Sequence, residues 1–214
     1  MFITGNRIFG SQEFIPWVSA GKITDGEGII IDSTRNSAYQ STIPIAPYNG
    51  RTYIANNVIY ANGSSAIEVF ESDHVDVVNN SSYEDIITPV LTGRGEMNLS
   101  NTSDVNVINN IFYCAAGQNP VTVNPGTTSM IVLNYNLYFG GTNTGDVANG
   151  PNDLVGDPLY VDPADSNPLN VLLSVSSTSP AVGSGTAYLA PSTDFAGNPR
   201  PGAKGYDRGA YQQQ

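Results

Sequence analysis

One short pattern recurs along the first two thirds of the chain: two apolar residues, a pair that is usually Asn-Asn, then a short segment ending in Tyr or Phe. Its copies read ITGNRIF at 3–9, IANNVIY at 54–60, VVNNSSY at 77–83, VINNIFY at 107–113 and VLNYNLY at 132–138. Between them lie short alternating runs, GIIID at 28–32, AIEVF at 66–70, EMNLS at 96–100 and PVTVN at 120–124. Alternation of apolar and polar residues is the period of a half-buried strand, and no run of ten or more residues carries the 3.6-residue period of a helix. Short strands that return every 23 to 30 residues, with Asn, Ser and Gly at the corners, are the rungs of a coil. In such a coil each turn buries its apolar face against the next.

The repeats therefore predict an all-β chain folded as a short parallel β-helix, a single-stranded solenoid. Its coils span 1–140, and an irregular, loop-rich tail over 141–214 packs on the last coil and closes the same domain. The 51 residues from Asn6 to Asn57 exceed one rung, and a loop insertion over 33–50 accounts for the excess. That loop, with Tyr39 and Tyr48, overhangs one lateral face. Asn57, Asn80, Asn110 and, by the pattern, Tyr135 fall one above another. Side-chain amides stacked about 4.8 Å apart hydrogen-bond along the axis and satisfy buried corners. The repeat-ending Tyr60, Tyr83, Tyr113 and Tyr138 form a second stack. Alternation sends Ile67, Val69, Val77, Met97, Leu99, Val105, Val107, Val121 and Val123 inward. It sets Ile30, Glu68, Asn98 and Thr122 outward in one row and Asp32, Phe70, Ser100 and Asn124 in the next.

Eight Lys plus Arg face nineteen Asp plus Glu, a formal charge of −11 that repels phosphate backbones, so nucleic acid is excluded as a partner. No stretch approaches the roughly 18 apolar residues of a membrane span, so no membrane insertion is expected. Met1 to Gly10 lacks the basic and apolar regions of a signal peptide. Cys114 follows the apolar run Ile111, Phe112, Tyr113 and reads as a buried structural thiol.

The tail carries GDPLYVDP at 156–163, SPAVGSG at 179–185, DFAGNPRP at 194–201 and YDRGAYQ at 206–212. With these endings behind the coils, the whole chain resembles the secreted right-handed parallel β-helix repeat proteins of bacteria, in the pectate-lyase-like superfamily. The resemblance implies a right-handed coil, an extracellular or cell-surface location and a polysaccharide or oligosaccharide partner. It implies carbohydrate-active chemistry: a polysaccharide lyase, a glycoside hydrolase, an epimerase or a tailspike-like glycan binder. The Arg-x-Pro-x-x-Arg run of pectate lyases and the Asn-Thr-Asp and Gly-His-Gly motifs of polygalacturonases are missing, so no catalytic residue is carried over by motif. The first coil begins in mid-repeat without a cap, which predicts a monomer or a weak homodimer through that end.

One rung concentrates the acids, with Glu68, Glu71, Asp73, His74 and Asp76 in nine residues. Asp32 and Glu68 on neighbouring rungs approach the ~5 to 5.5 Å of a retaining glycosidase pair. Glu68, Asp32, Glu71 and His74 are the catalytic candidates, and register places His74 beside Arg51 of the preceding coil and Asp104 of the following one. β-Elimination needs a base for the proton next to a uronate carboxylate and a cation to neutralise that carboxylate. Arg51 and Arg94 supply the cation; Tyr53, like Tyr39, Tyr48 and Trp17, offers a ring for sugar stacking; Asp76 and Glu96 complete the substrate-binding set. No cofactor is required, and calcium is the ion that these acids, or Asp153, Asp157, Asp162 and Asp165 in the tail, would suit. The expected function is a polysaccharide-degrading enzyme, hydrolase or lyase, working in a groove along the coils. The alternative is a non-catalytic glycan-binding or truncated structural β-helix module.

Overall fold

A computed structural model describes residues 1–35, 46–124, 128–145 and 149–214, so the expectation on Tyr39 lies outside the described residues. The strands come in threes. The first turn is β1 (Phe2–Thr4), β2 (Arg7–Phe9) and β3 (Ile29–Asp32), and the second is β4 (Thr52–Ala55), β5 (Val58–Tyr60) and β6 (Ile67–Phe70). The third is β7 (Asp73–Val78), β8 (Ser81–Tyr83) and β9 (Gly95–Ser100), and the fourth is β10 (Ser103–Ile108), β11 (Ile111–Tyr113) and β12 (Asn119–Val123). The fifth is β13 (Ser129–Asn134), β14 (Leu137–Phe139) and β15 (Thr144–Gly145). Strands three apart in sequence pair in parallel: β1-β4-β7-β10-β13 form sheet 1, β2-β5-β8-β11-β14 form sheet 2 and β3-β6-β9-β12-β15 form sheet 3. The chain is thus all-β, with parallel strands stacked rung on rung in three sheets. β16 (Leu154–Val155) extends sheet 2 beyond β14, and in the tail β17 (Tyr160–Asp162) pairs antiparallel with β18 (Leu172–Val175).

Ile3 pairs with Ile54, so the 51-residue separation is one turn lengthened by insertions, as the sequence suggests. One insertion leads from β3 to β4. A second, over 10–28 between β2 and β3, carries no strand pattern and is not foreseen. The core follows the alternation: Ile67, Val69, Val77, Met97, Leu99, Val105, Val107, Val121 and Val123 all lie in one buried cluster.

The second asparagine of each pair runs as an internal ladder. Asn6, Asn57, Asn80 and Asn110 each donate their side-chain amide to the carboxamide oxygen of the next member, at 2.9, 2.9, 3.0 and 3.1 Å. Each acceptor oxygen also takes the backbone N–H of the preceding member. The remaining amide proton of Asn57, Asn80, Asn110 and Asn136 goes to a backbone carbonyl of the preceding rung, so buried amides are satisfied within the ladder. The fifth place belongs to Asn136, not Tyr135, because Leu137 and not Asn136 pairs with Ile111. Asp153 ends the ladder: its carboxylate accepts from Asn136 and from the Tyr138 hydroxyl, a pure acceptor where no further rung offers an amide.

The same one-residue shift corrects the aromatic stack. On the outer face of sheet 2 the rings are Phe9, Tyr60, Tyr83, Tyr113 and Phe139, with Phe9–Tyr60, Tyr83–Tyr113 and Tyr113–Phe139 centroids 5.2, 4.7 and 4.9 Å apart. Tyr138 lies inside the coil against Phe112.

The first asparagine of each pair does different work. Asn56, Asn79 and Asn109 sit in the left-handed backbone region, where Asn is tolerated better than most residues. Their side chains face the tail, donating to Thr193 O, to Asp207 O and Gly209 O, and to Thr186 O. The tail consequently lies lengthwise along the coil and not on the last turn alone. Val171, Leu173 and Ala210 pack on Val58 and Tyr60, while Val175 and Ala181 pack on Ile111 and Leu137. Two buried arginines pin it: Arg200 donates to Asn56 Oδ1 and Gly209 O, and Arg208 to the carbonyls of Asn136, Asn152 and Ser184.

Candidate functional site

Sheet 1 carries one outward row beside the tail, Phe2, Tyr53, Asp76, Asn106 and Val132, in register across five strands, with its ends Phe2 and Val132 exposed and Asp76 buried. Beside it, one residue before the first inward position of β4, β7 and β10, stand Arg51, His74 and Asp104. His74 and Asp104 have φ of 60° and 54°. A left-handed non-glycine conformation costs about 1 kcal/mol or more and persists where neighbours hold it.

Those neighbours are ionic. Arg51 donates through Nη1 to Asp76 (2.7 Å) and through Nη2 to Asp104 Oδ2 (2.6 Å). His74 Nδ1 meets the same Asp104 oxygen at 2.5 Å. The Arg51 and His74 hydrogen bonds hold the Asp104 carboxyl below the usual carboxylate range. An ionised carboxylate only accepts, so His74 Nδ1 is the donor and Nε2 is not engaged by Asp104. The His74 side chain is 45% exposed and that of Arg51 41%, so both reach solvent. Asp76 is buried beneath them and accepts from Asn106 as well. Tyr53 stands next to Asp76, but its hydroxyl donates to Leu189 O in the tail (2.6 Å), and burial pushes its pKa up to about 12.

The carboxylates singled out on sheet 3 are arranged differently. Glu68 pairs across from Ile30, while Asp32 sits opposite Phe70, exposed and bonded to Ser33. The carboxyl that meets Glu68 is Glu27, from the segment entering β3. Arg94 Nη1 donates to both, Asn98 donates to Glu68, and Glu68 is 3% exposed. Burial raises the Glu68 pKa to about 7, against the pull of Arg94 and with Glu27 adding to the rise. Glu71 begins the next corner within 3.4 Å of Asn101 Nδ2. Glu96 is fully buried, away from any groove, where it accepts the N–H of Asp85. Burial raises both of these carboxyls as well, Asp85 to about 7.

The structure thus gathers Arg51, His74, Asp76 and Tyr53 on sheet 1 and, separately, Glu68 and Arg94 on sheet 3. Sequence reasoning missed Glu27, which precedes Gly28 in an insertion without strand period. Tail Asp157 and Asp165 close turns onto the N–H two residues on, and Asp153 belongs to the ladder. Among the described residues no three His, Cys, Asp or Glu side chains converge as a metal needs, so no step is assigned to calcium. No helix among the described residues is long and apolar enough to cross a membrane. Compared with known protein families, curated proteins and solved structures, the chain matches none of them.

The raised carboxyls set a pH dependence. A carboxyl whose folded pKa exceeds its unfolded value stabilises the fold fully below the unfolded pKa, about 4, and loses that contribution as pH rises through the folded value. For Glu68 and Asp85 the loss runs from about 4 to about 7. The melting temperature is expected to be higher at pH 5 than at pH 8, and Asp85→Asn should narrow the difference. A melting temperature equal at both pH values, or higher at pH 8, contradicts this assignment.

Proposed function

We propose that the protein cleaves a polysaccharide laid along the outer face of sheet 1, by β-elimination centred on His74. The observation that carries this reading is the solvent-facing trio in which one Asp104 oxygen receives both Arg51 and His74. Asp104 fixes the imidazole so that Nε2 takes the proton next to the uronate carboxylate; the freed electron pair forms the double bond as the C–O bond breaks, and the departing glycosidic oxygen takes a proton from water. Arg51 has spent one N–H on each of two carboxylates, and a guanidinium carries five, so donors remain for the uronate. Exposed Phe2 beside Tyr53, with centroids 6.0 Å apart, offers an aromatic flank for a sugar ring. Hydrolysis by the Glu68–Glu27 pair draws less support, because Arg94 closes over both carboxylates. The resemblance to pectate-lyase-like β-helix proteins, right-handed and secreted, points to the same polysaccharide chemistry.

The test is incubation with a panel of neutral and uronic-acid polysaccharides, with and without calcium. Elimination is expected to release unsaturated, ultraviolet-absorbing ends from a uronic-acid polymer. New reducing ends without that absorbance would indicate hydrolysis, and retention without cleavage a glycan-binding module; either overturns the proposal.

A further inference from the structure

Residues 84–94 connect β8 to β9 and cross the corner between sheets 2 and 3, and Glu96 is the second residue of β9. Three backbone bonds fasten their first part to the turn after β5: Ile86 N to Ser64 O, Ile87 N to Asn62 O and Thr88 N to Gly63 O. Beyond them the 3₁₀ turn Pro89–Leu91 leaves Val90 71% exposed, and the segment returns through Arg94, which closes over Glu68 and Glu27.

A buried carboxyl pair joins the start of this connection to β9. Asp85 Oδ1 accepts from Asn62 through its backbone N–H (2.8 Å) and its side-chain amide (2.7 Å), and Asp85 N–H bonds Glu96 Oε1. The other oxygens, Asp85 Oδ2 and Glu96 Oε2, are buried with the Ser82 hydroxyl beside them, and none of the three makes a well-formed hydrogen bond, although the two carboxyls and the hydroxyl stand near enough to interact. Around the pair stand the Cys114 thiol and the Tyr160 ring, with Glu84 beyond Cys114, and none of these described groups is a cation. Two ionised carboxylates in such a place cost far more than their hydrogen bonds return, whereas one shared proton turns these two oxygens into a donor and an acceptor. Three such oxygens are too few for calcium, which takes six to eight. The second fastening, Arg94 on Glu27 and Glu68, runs the other way: an ionised Glu68 holds Arg94 more tightly, so this end of the strap stays closed when the proton of the first is lost.

We propose that the first part of the 84–94 connection is a pH-gated strap, latched by a proton shared between Asp85 and Glu96 and released from the turn at 62–64 when that proton is lost. Loss of the proton leaves two negative charges facing each other under the strap, and the least costly relief is to detach Asp85 from Asn62 and let 86–88 unpair. The sheet 1 cluster is not part of this device, so the gate stands or falls independently of His74.

Hydrogen exchange followed by mass spectrometry at pH 6.0 and pH 8.5, with rates corrected for intrinsic exchange, tests the gate on wild type, Asp85→Asn and Glu96→Gln. In the wild type, amides of 85–88 are expected to lose about tenfold or more of their protection between pH 6.0 and pH 8.5, while those of 97–100 in β9 keep theirs. Glu96→Gln replaces the shared proton with a permanent amide donor and should hold protection constant across the range. Asp85→Asn provides the same check should Glu96→Gln fail to fold. Equal protection of 85–88 at both pH values in the wild type, or a pH-dependent loss that persists in the folded variants, overturns the strap.

Discussion

Val107→Asp is expected to abolish cooperative folding. Val107 is fully buried in β10, in register between Val77 of β7 and Leu133 of β13, and belongs to the single apolar cluster running through the coil. An aspartate there has apolar neighbours above and below, so it is buried without a partner or takes a proton at neutral pH; either costs about 4 kcal/mol or more. Because parallel rungs support one another only through their neighbours, a break at the fourth rung also loosens the β13 edge and the tail docked on Asn109. Circular dichroism and calorimetry check it. A variant that melts cooperatively within a few degrees of the parent means that Val107 does not point inward, and the register of sheet 1 fails with it.

The architecture was legible because a coil writes its geometry into the chain once per turn. Asn57, Asn80 and Asn110 recur where an axial amide ladder needs them, and the inward valines alternate with outward polar residues. The reading slipped where identity and position parted company. In the fifth rung the segment NYN fits the Asn-Asn pattern in two registers, and the pairing of Leu137 with Ile111 and the bonds of Asn110 to Asn136 decide between them. The position of the tail was hidden for a related reason. Two adjacent asparagines look alike in a sequence, but one is turned inward and the other is left-handed and turned toward the tail.

The candidate site was legible in part. Strand register alone places Arg51, His74 and Asp104 on three consecutive rungs. It does not tell which outward acids are open to solvent, since Glu68 is covered by Arg94 and Glu27, and these arrive on segments that carry no strand period. Insertions thus decide accessibility in this protein, while the coil decides position.

If proton transfer at His74 carries the proposed elimination, removing the imidazole stops it. His74→Ala takes away the group that exchanges the proton but leaves Arg51 bound to Asp76 and Asp104, and its half-exposed side chain adds little to stability. On a polysaccharide that the parent cleaves, kcat/KM should fall by about 10²-fold or more, equivalent to roughly 2.7 kcal/mol of transition-state stabilisation, with the melting temperature nearly unchanged. Glu68→Gln, measured beside it at pH 6, should stay within about threefold of the parent, because that carboxyl is buried behind Arg94. A His74→Ala protein that turns over at the parental rate, with the loss falling on Glu68→Gln instead, overturns the role of His74 and moves the active centre to sheet 3.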